Sequence, residues 1–120
     1  MSKTIFFNSR DELLRMEVNR IVYFEADGNY THIVSMNKLK STVSLNLTKT
    51  EQALTQQLGA EARQFMRVGK RFIINTSFIY SVNIGRQTLT LSDQQTFGFQ
   101  LPVSKDALRI MKSLLLKNNS

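Results

Sequence analysis

Residues 21–36 read Ile21-Val22-Tyr23-Phe24-Glu25-Ala26-Asp27-Gly28-Asn29-Tyr30-Thr31-His32-Ile33-Val34-Ser35-Met36. Ile21 to Phe24 is a nearly continuous apolar run of β-favouring residues. It ends at Asp27-Gly28-Asn29, where Gly and Asn tolerate the positive φ of a tight turn. Tyr30 to Met36 then resumes as a strand, with Tyr30, His32 and Val34 on one face and Thr31, Ile33 and Ser35 on the other. The stretch therefore predicts a β-hairpin. The same grammar extends outward from it. Thr4 to Asn8 and Leu13 to Val18 are short strands around the polar turn Ser9-Arg10-Asp11, and Asn37-Lys38 turns the chain into a strand over Leu39 to Ser44. Links this short suit an antiparallel meander rather than parallel crossovers.

Further along, Thr48-Lys49-Thr50-Glu51 has capping-box spacing and predicts a helix that runs to Gly59, with Ala53, Leu54 and Leu58 on one face. Phe65 to Asn75 returns to strand composition with basic residues set into it. Phe78 to Ile84 and Gln87 to Leu91 read as a hairpin around Gly85-Arg86. Thr96 to Leu101 reads as a strand stopped by Pro102, the one proline. The last element is a helix. Ser104 is its predicted N-cap, with Val103 and Leu108 placed as a hydrophobic staple. Ala107, Leu108, Met111, Leu114 and Leu115 make a stripe of helical period, Lys112 and Lys117 suit the helix C-terminal end, and Asn118-Asn119-Ser120 reads as a frayed tail. No linker or repeat interrupts the chain, so residues 1–120 are expected to form a single domain.

Composition bounds the function. The 120 residues carry sixteen Lys+Arg against nine Asp+Glu, a formal charge of +7. The isoelectric point is near 10.1. Hydrophobic residues make up 42% and charged residues 21%, a globular rather than disordered balance. There is no Cys and one His, which excludes disulfide scaffolds, thiolate nucleophiles and clustered zinc ligands. No apolar run approaches the ~18 residues of a membrane helix. The N-terminal segment turns polar at Asn8, too soon for a signal peptide. The chain is thus expected to be cytoplasmic, with a polyanion as its partner.

No catalytic constellation, metal site or cofactor motif emerges, and an enzyme is the least expected class. Glu25 and Asp27 fall on one side of a strand, where paired carboxylates can do acid–base work, but at a turn they read as solvated acids. His32 has no recognisable partner in the sequence. Gly69-Lys70 lacks the remainder of a phosphate loop. Asn29-Tyr30-Thr31, Asn46-Leu47-Thr48 and Asn75-Thr76-Ser77 match the glycosylation sequon and read as chance. What stands out is basic. Arg63, Arg67, Lys70 and Arg71 lie within nine residues, opposed by Glu61. Two strands entering and leaving a Gly69-Lys70-Arg71 bend would present cations at one place, or simply a solvated strand edge. Asn29-Tyr30-Thr31-His32 carries hydrogen-bonding and stacking groups after a turn. Ser104-Lys105 opens the last helix, where free amides and the helix dipole favour an anion.

These stretches together resemble the LytTR family of bacterial DNA-binding domains. The resemblance rests on residues 21–31, on Phe65-Met66-Arg67-Val68-Gly69-Lys70-Arg71-Phe72-Ile73-Ile74-Asn75 with Phe78-Ile79, and on Leu101-Pro102-Val103-Ser104-Lys105. It implies a mostly β (α+β) fold of small antiparallel sheets stacked compactly, with one mid-chain helix and one C-terminal helix. It also implies that loops, not a recognition helix, meet double-stranded DNA. The first such loop falls on Asn29, Tyr30, Thr31 and His32, the second on Gly69, Lys70 and Arg71, and the third on Ser104 and Lys105. Members commonly carry His where this chain has Gly69. The implied role is sequence-specific transcriptional regulation, either alone or as the output domain of a two-component response regulator, with a homodimer on repeated half-sites as the expected assembly. A protein-interaction module that keeps the fold without DNA binding is the alternative. A single-strand binder is less favoured, because most of the eight Phe lie in apolar runs.

Overall fold

A computed structural model describes residues 3–118; Met1-Ser2 and the Asn119-Ser120 end of the expected tail lie outside them. Ten strands and two helices follow one another as β1 (Thr4–Asn8), β2 (Leu13–Glu17), β3 (Ile21–Asp27), β4 (Tyr30–Ser35), β5 (Lys40–Val43), α1 (Leu47–Leu58), β6 (Phe65–Val68), β7 (Phe72–Asn75), β8 (Ile79–Asn83), β9 (Thr88–Ser92), β10 (Gly98–Pro102) and α2 (Lys105–Asn118). Asn118 thus closes α2 rather than starting the tail. Among the described residues no helix is long and apolar enough to cross a membrane.

The architecture is built around a five-stranded antiparallel sheet in the order β5-β4-β3-β7-β6. The predicted hairpin is there: Asp27 pairs with Tyr30 across a two-residue turn, and Gly28 takes φ +60°. Strands β3 to β5 form the expected meander, but β1 and β2 do not join it. They pair only with each other, because a single 3-10 turn over Val18–Arg20 lifts the chain away before β3 starts. The partner of β3 on its other side is β7, fifty residues away in the chain, with Tyr23 opposite Ile74 and Glu25 opposite Phe72.

Both faces of this sheet are covered, which explains why β3 and β7 read as continuous apolar runs rather than as alternating ones. On one face, Phe24, Ile33 and Ile73 pack with Ile5 and Phe7 of the β1–β2 hairpin and with Leu47, Leu54 and Leu58 of α1. On the other, Tyr23, Val34, Phe72 and Ile74 pack with Leu89, Leu91 and Leu101 of the sheet β10-β9-β8, and with Leu108 and Met111 of α2. The adjacent residues Tyr23 and Phe24 serve one core each. Tyr23 stands edge-on to Phe72 at 6.1 Å and to Phe99 at 5.5 Å, and Phe24 stands edge-on to Phe65 at 5.6 Å. Such pairs add to the area they bury.

Two local expectations change. The cap of α1 is Asn46, whose side-chain oxygen accepts from the Lys49 amide at 2.8 Å, so the helix begins before Thr48. Thr48 and Glu51, read as a capping box, instead take hydrogen bonds from Arg67 at 3.3 and 3.4 Å. A carboxamide one residue before the helix reaches the free amides first. The last strand starts at Gly98, not Thr96, because Asp93 organises residues 93–97 into a turn. The predicted cap and staple of α2 hold: Ser104 Oγ accepts from the Ala107 amide at 3.2 Å, and Val103 and Leu108 are both buried in the same core. Asn75, one of the sequon residues, is wholly buried, donating to the Ile21 carbonyl at 2.8 Å and accepting from the Ser77 amide at 3.0 Å.

Asp93 accepts from the Thr96 hydroxyl and from the amides of Gln95, Thr96 and Phe97. These bonds, the Thr96 hydroxyl foremost, hold its carboxyl well below the usual carboxylate range. A depressed folded-state pKa stabilises above the unfolded value and loses that contribution as pH falls through the folded one. Asp93→Ala is therefore expected to lower Tm at pH 7, with the gap to wild type narrowing below about pH 4. Thermal melts followed by circular dichroism across pH check this; a gap that stays constant down to acid pH contradicts it.

Candidate nucleic-acid interface

Three segments far apart in the chain end at one edge of the fold. Strand β3 finishes where β7 begins, and the Ala26 amide donates to the Arg71 carbonyl at 2.8 Å, so the β3–β4 turn and the β6–β7 turn lie side by side. The second turn needs Gly69 at φ +62°, and a Cβ built there would sit 3.9 Å from that of Ala107. The first turn of α2, with Ser104 and Lys105, is therefore packed against the Gly69-Lys70-Arg71 bend.

The candidate residues differ in what they present. Asn29 and Tyr30 are exposed, Tyr30 by 51%. Thr31 is wholly buried, and its hydroxyl donates to the Leu45 carbonyl at 2.8 Å while accepting from Thr50 at 3.2 Å. Its side chain joins β4 to the start of α1 and presents nothing at the surface, which corrects its expected place in the first loop. The inward parity of Thr31 beside Ile33 is the signal for this. His32 is half-buried between two partners: Nε2 lies 2.8 Å from Asp27 Oδ2 and Nδ1 2.8 Å from Thr42 Oγ1. A carboxylate can only accept, so Nε2 carries the hydrogen, and in the neutral ring Nδ1 accepts from the Thr42 hydroxyl.

Gly69, Lys70, Arg71, Ser104 and Lys105 are all exposed. Among the described residues, the ammonium groups of Lys70 and Lys105 have no ion-pair partner. Arg71 donates through Nη2 to Glu25 Oε2 at 2.8 Å, and its guanidinium carbon lies 5.1 Å from the centre of the Phe72 ring. Ser104 Oγ is occupied in part by capping. The remainder of the basic cluster is not at this edge. Arg67 crosses to Glu51 on the α1 side of the sheet, and Arg63 precedes β6 at the opposite end of that strand.

Sequence reasoning missed Glu25, Asp27 and Thr42. Glu25 and Asp27 are not merely solvated acids, since each holds one of the candidate contact groups. Their shared strand face was visible, but the pairing of β3 with β7 that brings Arg71 to Glu25 was not. Thr42 enters through its register opposite His32. Behind Glu25, burial and then the Glu25 charge push the Tyr23 phenol above its usual range, so it stays neutral. The described residues contain no group of three or more metal-ligating side chains. Of the eight Phe, only Phe6 is exposed; the other exposed aromatic rings are Tyr30 and Tyr80. The edge thus carries exposed cations and buttressed hydrogen-bonding groups.

The LytTr DNA-binding domain model matches residues 11–116, a span that includes all three segments. Among solved structures, this chain is similar to the LytTr DNA-binding domain of a Bacillus cereus protein described as a methyl-accepting/DNA response regulator. The two are 22% identical with a TM-score of 0.65, over 93% of this chain and 95% of the other. No curated protein matches the chain.

Thr31→Val keeps the shape but strands the Leu45 carbonyl, while the Thr50 hydroxyl keeps the Asn46 carbonyl as its acceptor at 2.9 Å. The substitution is expected to cost about 1–3 kcal/mol of stability, the usual penalty for an unpaired buried polar group. Tyr30→Ala, at the surface beside it, should cost far less. Urea unfolding of the two variants checks the contrast.

Proposed function

This chain belongs to the LytTR family of DNA-binding domains, and on that premise we propose that it binds duplex DNA sequence-specifically through this edge as a transcriptional regulator. The observation that carries the reading is convergence: Lys70 and Arg71 of the β6–β7 bend and Lys105 of α2 come from two distant chain segments and are exposed where those segments pack together. Loops so placed meet the duplex without a recognition helix, unlike helix-turn-helix readers.

The residues divide by chemistry. Lys70 and Lys105 are compact charges that neutralise phosphates and release counterions. Free amides in the first turn of α2 add favourable potential for a phosphate at Lys105. Arg71 has the planar fork that matches the two acceptors on the major-groove edge of guanine. Asn29, Tyr30 and His32 supply hydrogen-bonding groups from the β3–β4 hairpin, with Thr42 fixing the His32 ring. Gly69 contributes the positive φ that turns Lys70 and Arg71 outward. If the three loops enter successive grooves on one side, DNA bending is expected. We read residues 1–120 as one such domain and as the output module of a response regulator, consistent with the kind of protein that carries the similar Bacillus cereus domain.

Gel-shift titrations of wild type against a duplex selected from a random pool, and against a scrambled one, test this. Lys70→Ala should weaken both duplexes alike and reduce the salt slope by about 1. Arg71→Ala should weaken the selected duplex about 5- to 100-fold, the worth of a bidentate base contact, and the scrambled one less. Neither should shift Tm appreciably. Unchanged affinity in both variants would overturn the assignment of this turn, and no duplex binding even at low salt would favour a protein-interaction module.

A further inference from the structure

A domain of charge +7 that meets a polyanion keeps acidic residues at the meeting edge, Glu25 and Asp27 among them. Carboxylates there repel phosphate, so they lower affinity. Each, however, grips a group that would reach the DNA: Asp27 holds His32, and Glu25 holds Arg71. The Glu25–Arg71 pair is the more telling. Glu25 is largely covered, its side chain 27% exposed, whereas that of Arg71 is 57% exposed. The carboxylate is rooted in the central strand β3, and the guanidinium projects from the turn beside it. Nη2 is held at 2.8 Å, and the group lies near the Phe72 ring with its carbon 5.1 Å from the centroid. Two anchors leave the plane little freedom to rotate.

Nη2 carries two hydrogens and Glu25 takes one. Whichever it takes, the other still completes a two-donor fork with Nη1 or with Nε, neither of which donates to any described residue. A fork already fixed in orientation loses less entropy on meeting two acceptors at fixed spacing, and it tolerates a wrong base poorly. Removing the carboxylate would free the guanidinium to follow any nearby phosphate.

We propose that Glu25 is a positioning residue for DNA recognition: it orients the Arg71 fork toward a base edge and so trades overall affinity for sequence discrimination. This rests on the duplex-binding reading above. A merely structural role would lower affinity for every sequence together. The positioning role moves two affinities in opposite directions.

The test measures dissociation constants of wild type, Glu25→Ala, Glu25→Gln, Arg71→Ala and the Glu25→Ala/Arg71→Ala double variant. The probes are the duplex that wild type selects from a random pool and its scrambled counterpart, with melting curves as the folding control. Glu25→Ala is expected to bind the scrambled duplex a few-fold more tightly, since a negative charge leaves the surface, and to lower the selected-to-scrambled ratio about tenfold. Glu25→Gln, which keeps an acceptor at the same place, should retain more of the ratio. In the Arg71→Ala background the Glu25 substitution should leave the ratio unchanged. A wild-type ratio in Glu25→Ala, or an equal drop with and without Arg71, would overturn the inference while leaving duplex binding intact. Failure of wild type to bind or to discriminate would overturn the function itself, and this inference with it.

Discussion

Tyr23 and Phe24 are neighbours in the chain and point to opposite sides of the central sheet. Everything else in the domain is arranged so that both can be buried. Strand side chains alternate, so two consecutive aromatic residues in one strand require cover on both faces. The β1–β2 hairpin and α1 provide it on the Phe24 side, and the second sheet with α2 provides it on the Tyr23 side. A strand buried on both faces cannot sit at an edge. It needs a neighbour on each side, and β4 and β7 supply them. The pairing with β7 has a second effect, because it brings the β6–β7 turn beside the β3–β4 turn. The candidate edge is therefore a by-product of how the core is closed. Removing a fully buried phenylalanine such as Phe24 would cost about 3–5 kcal/mol, a large part of what a domain of this size holds in reserve.

Local signals were legible because they depend on neighbours in the chain. The Gly28 turn, the run 21–24, the Gly59 stop, and the Ser104 cap with its Val103–Leu108 staple each follow from a few consecutive residues, and each is present in the structure. What was not legible depends on distant pairing. Nothing in residues 21–27 says that Glu25 will lie opposite Phe72. Nothing in Thr48-Lys49-Thr50-Glu51 says that a β6 arginine will compete for both polar ends of the supposed capping box. Asn46 then caps the helix from a position that an Asn shares with many turns. The family resemblance grouped three segments that the fold does bring together, but it placed the buried Thr31 among the contact residues. Strand parity had already put Thr31 on the inner face with Ile33, and parity is the sounder guide where a loop residue lies inside a strand.

Placement also changes what the surplus charge means. The sum of +7 treats every ionisable group as equivalent. In the fold, Arg67 reaches Glu51 of α1, Arg20 is held by Glu17, and Arg109 lies near Asp106. Exposed pairs of this kind add little stability, but they remove those cations from the field that a distant polyanion would meet. At the contact edge the local balance is nearly even, since Lys70, Arg71 and Lys105 face Glu25 and Asp27. A surface evolved only for affinity would have no reason to keep two acids there.

Near-neutrality at a contact edge has a physical use. Long-range attraction can be left to the whole domain, whose net charge draws DNA in from beyond a Debye length only weakly but steers it at close approach. The edge is then free to discriminate, because one of its cations, Arg71, is held in place by a carboxylate instead of roaming among phosphates. The same logic applies to the His32 ring, fixed from both sides by Asp27 and Thr42. Phosphate contacts set register and base contacts set sequence. In this chain Lys70 and Lys105, without an ion-pair partner among the described residues, would suit the first task, and the clamped Arg71 and His32 would suit the second. The division follows from which cations have a carboxylate behind them.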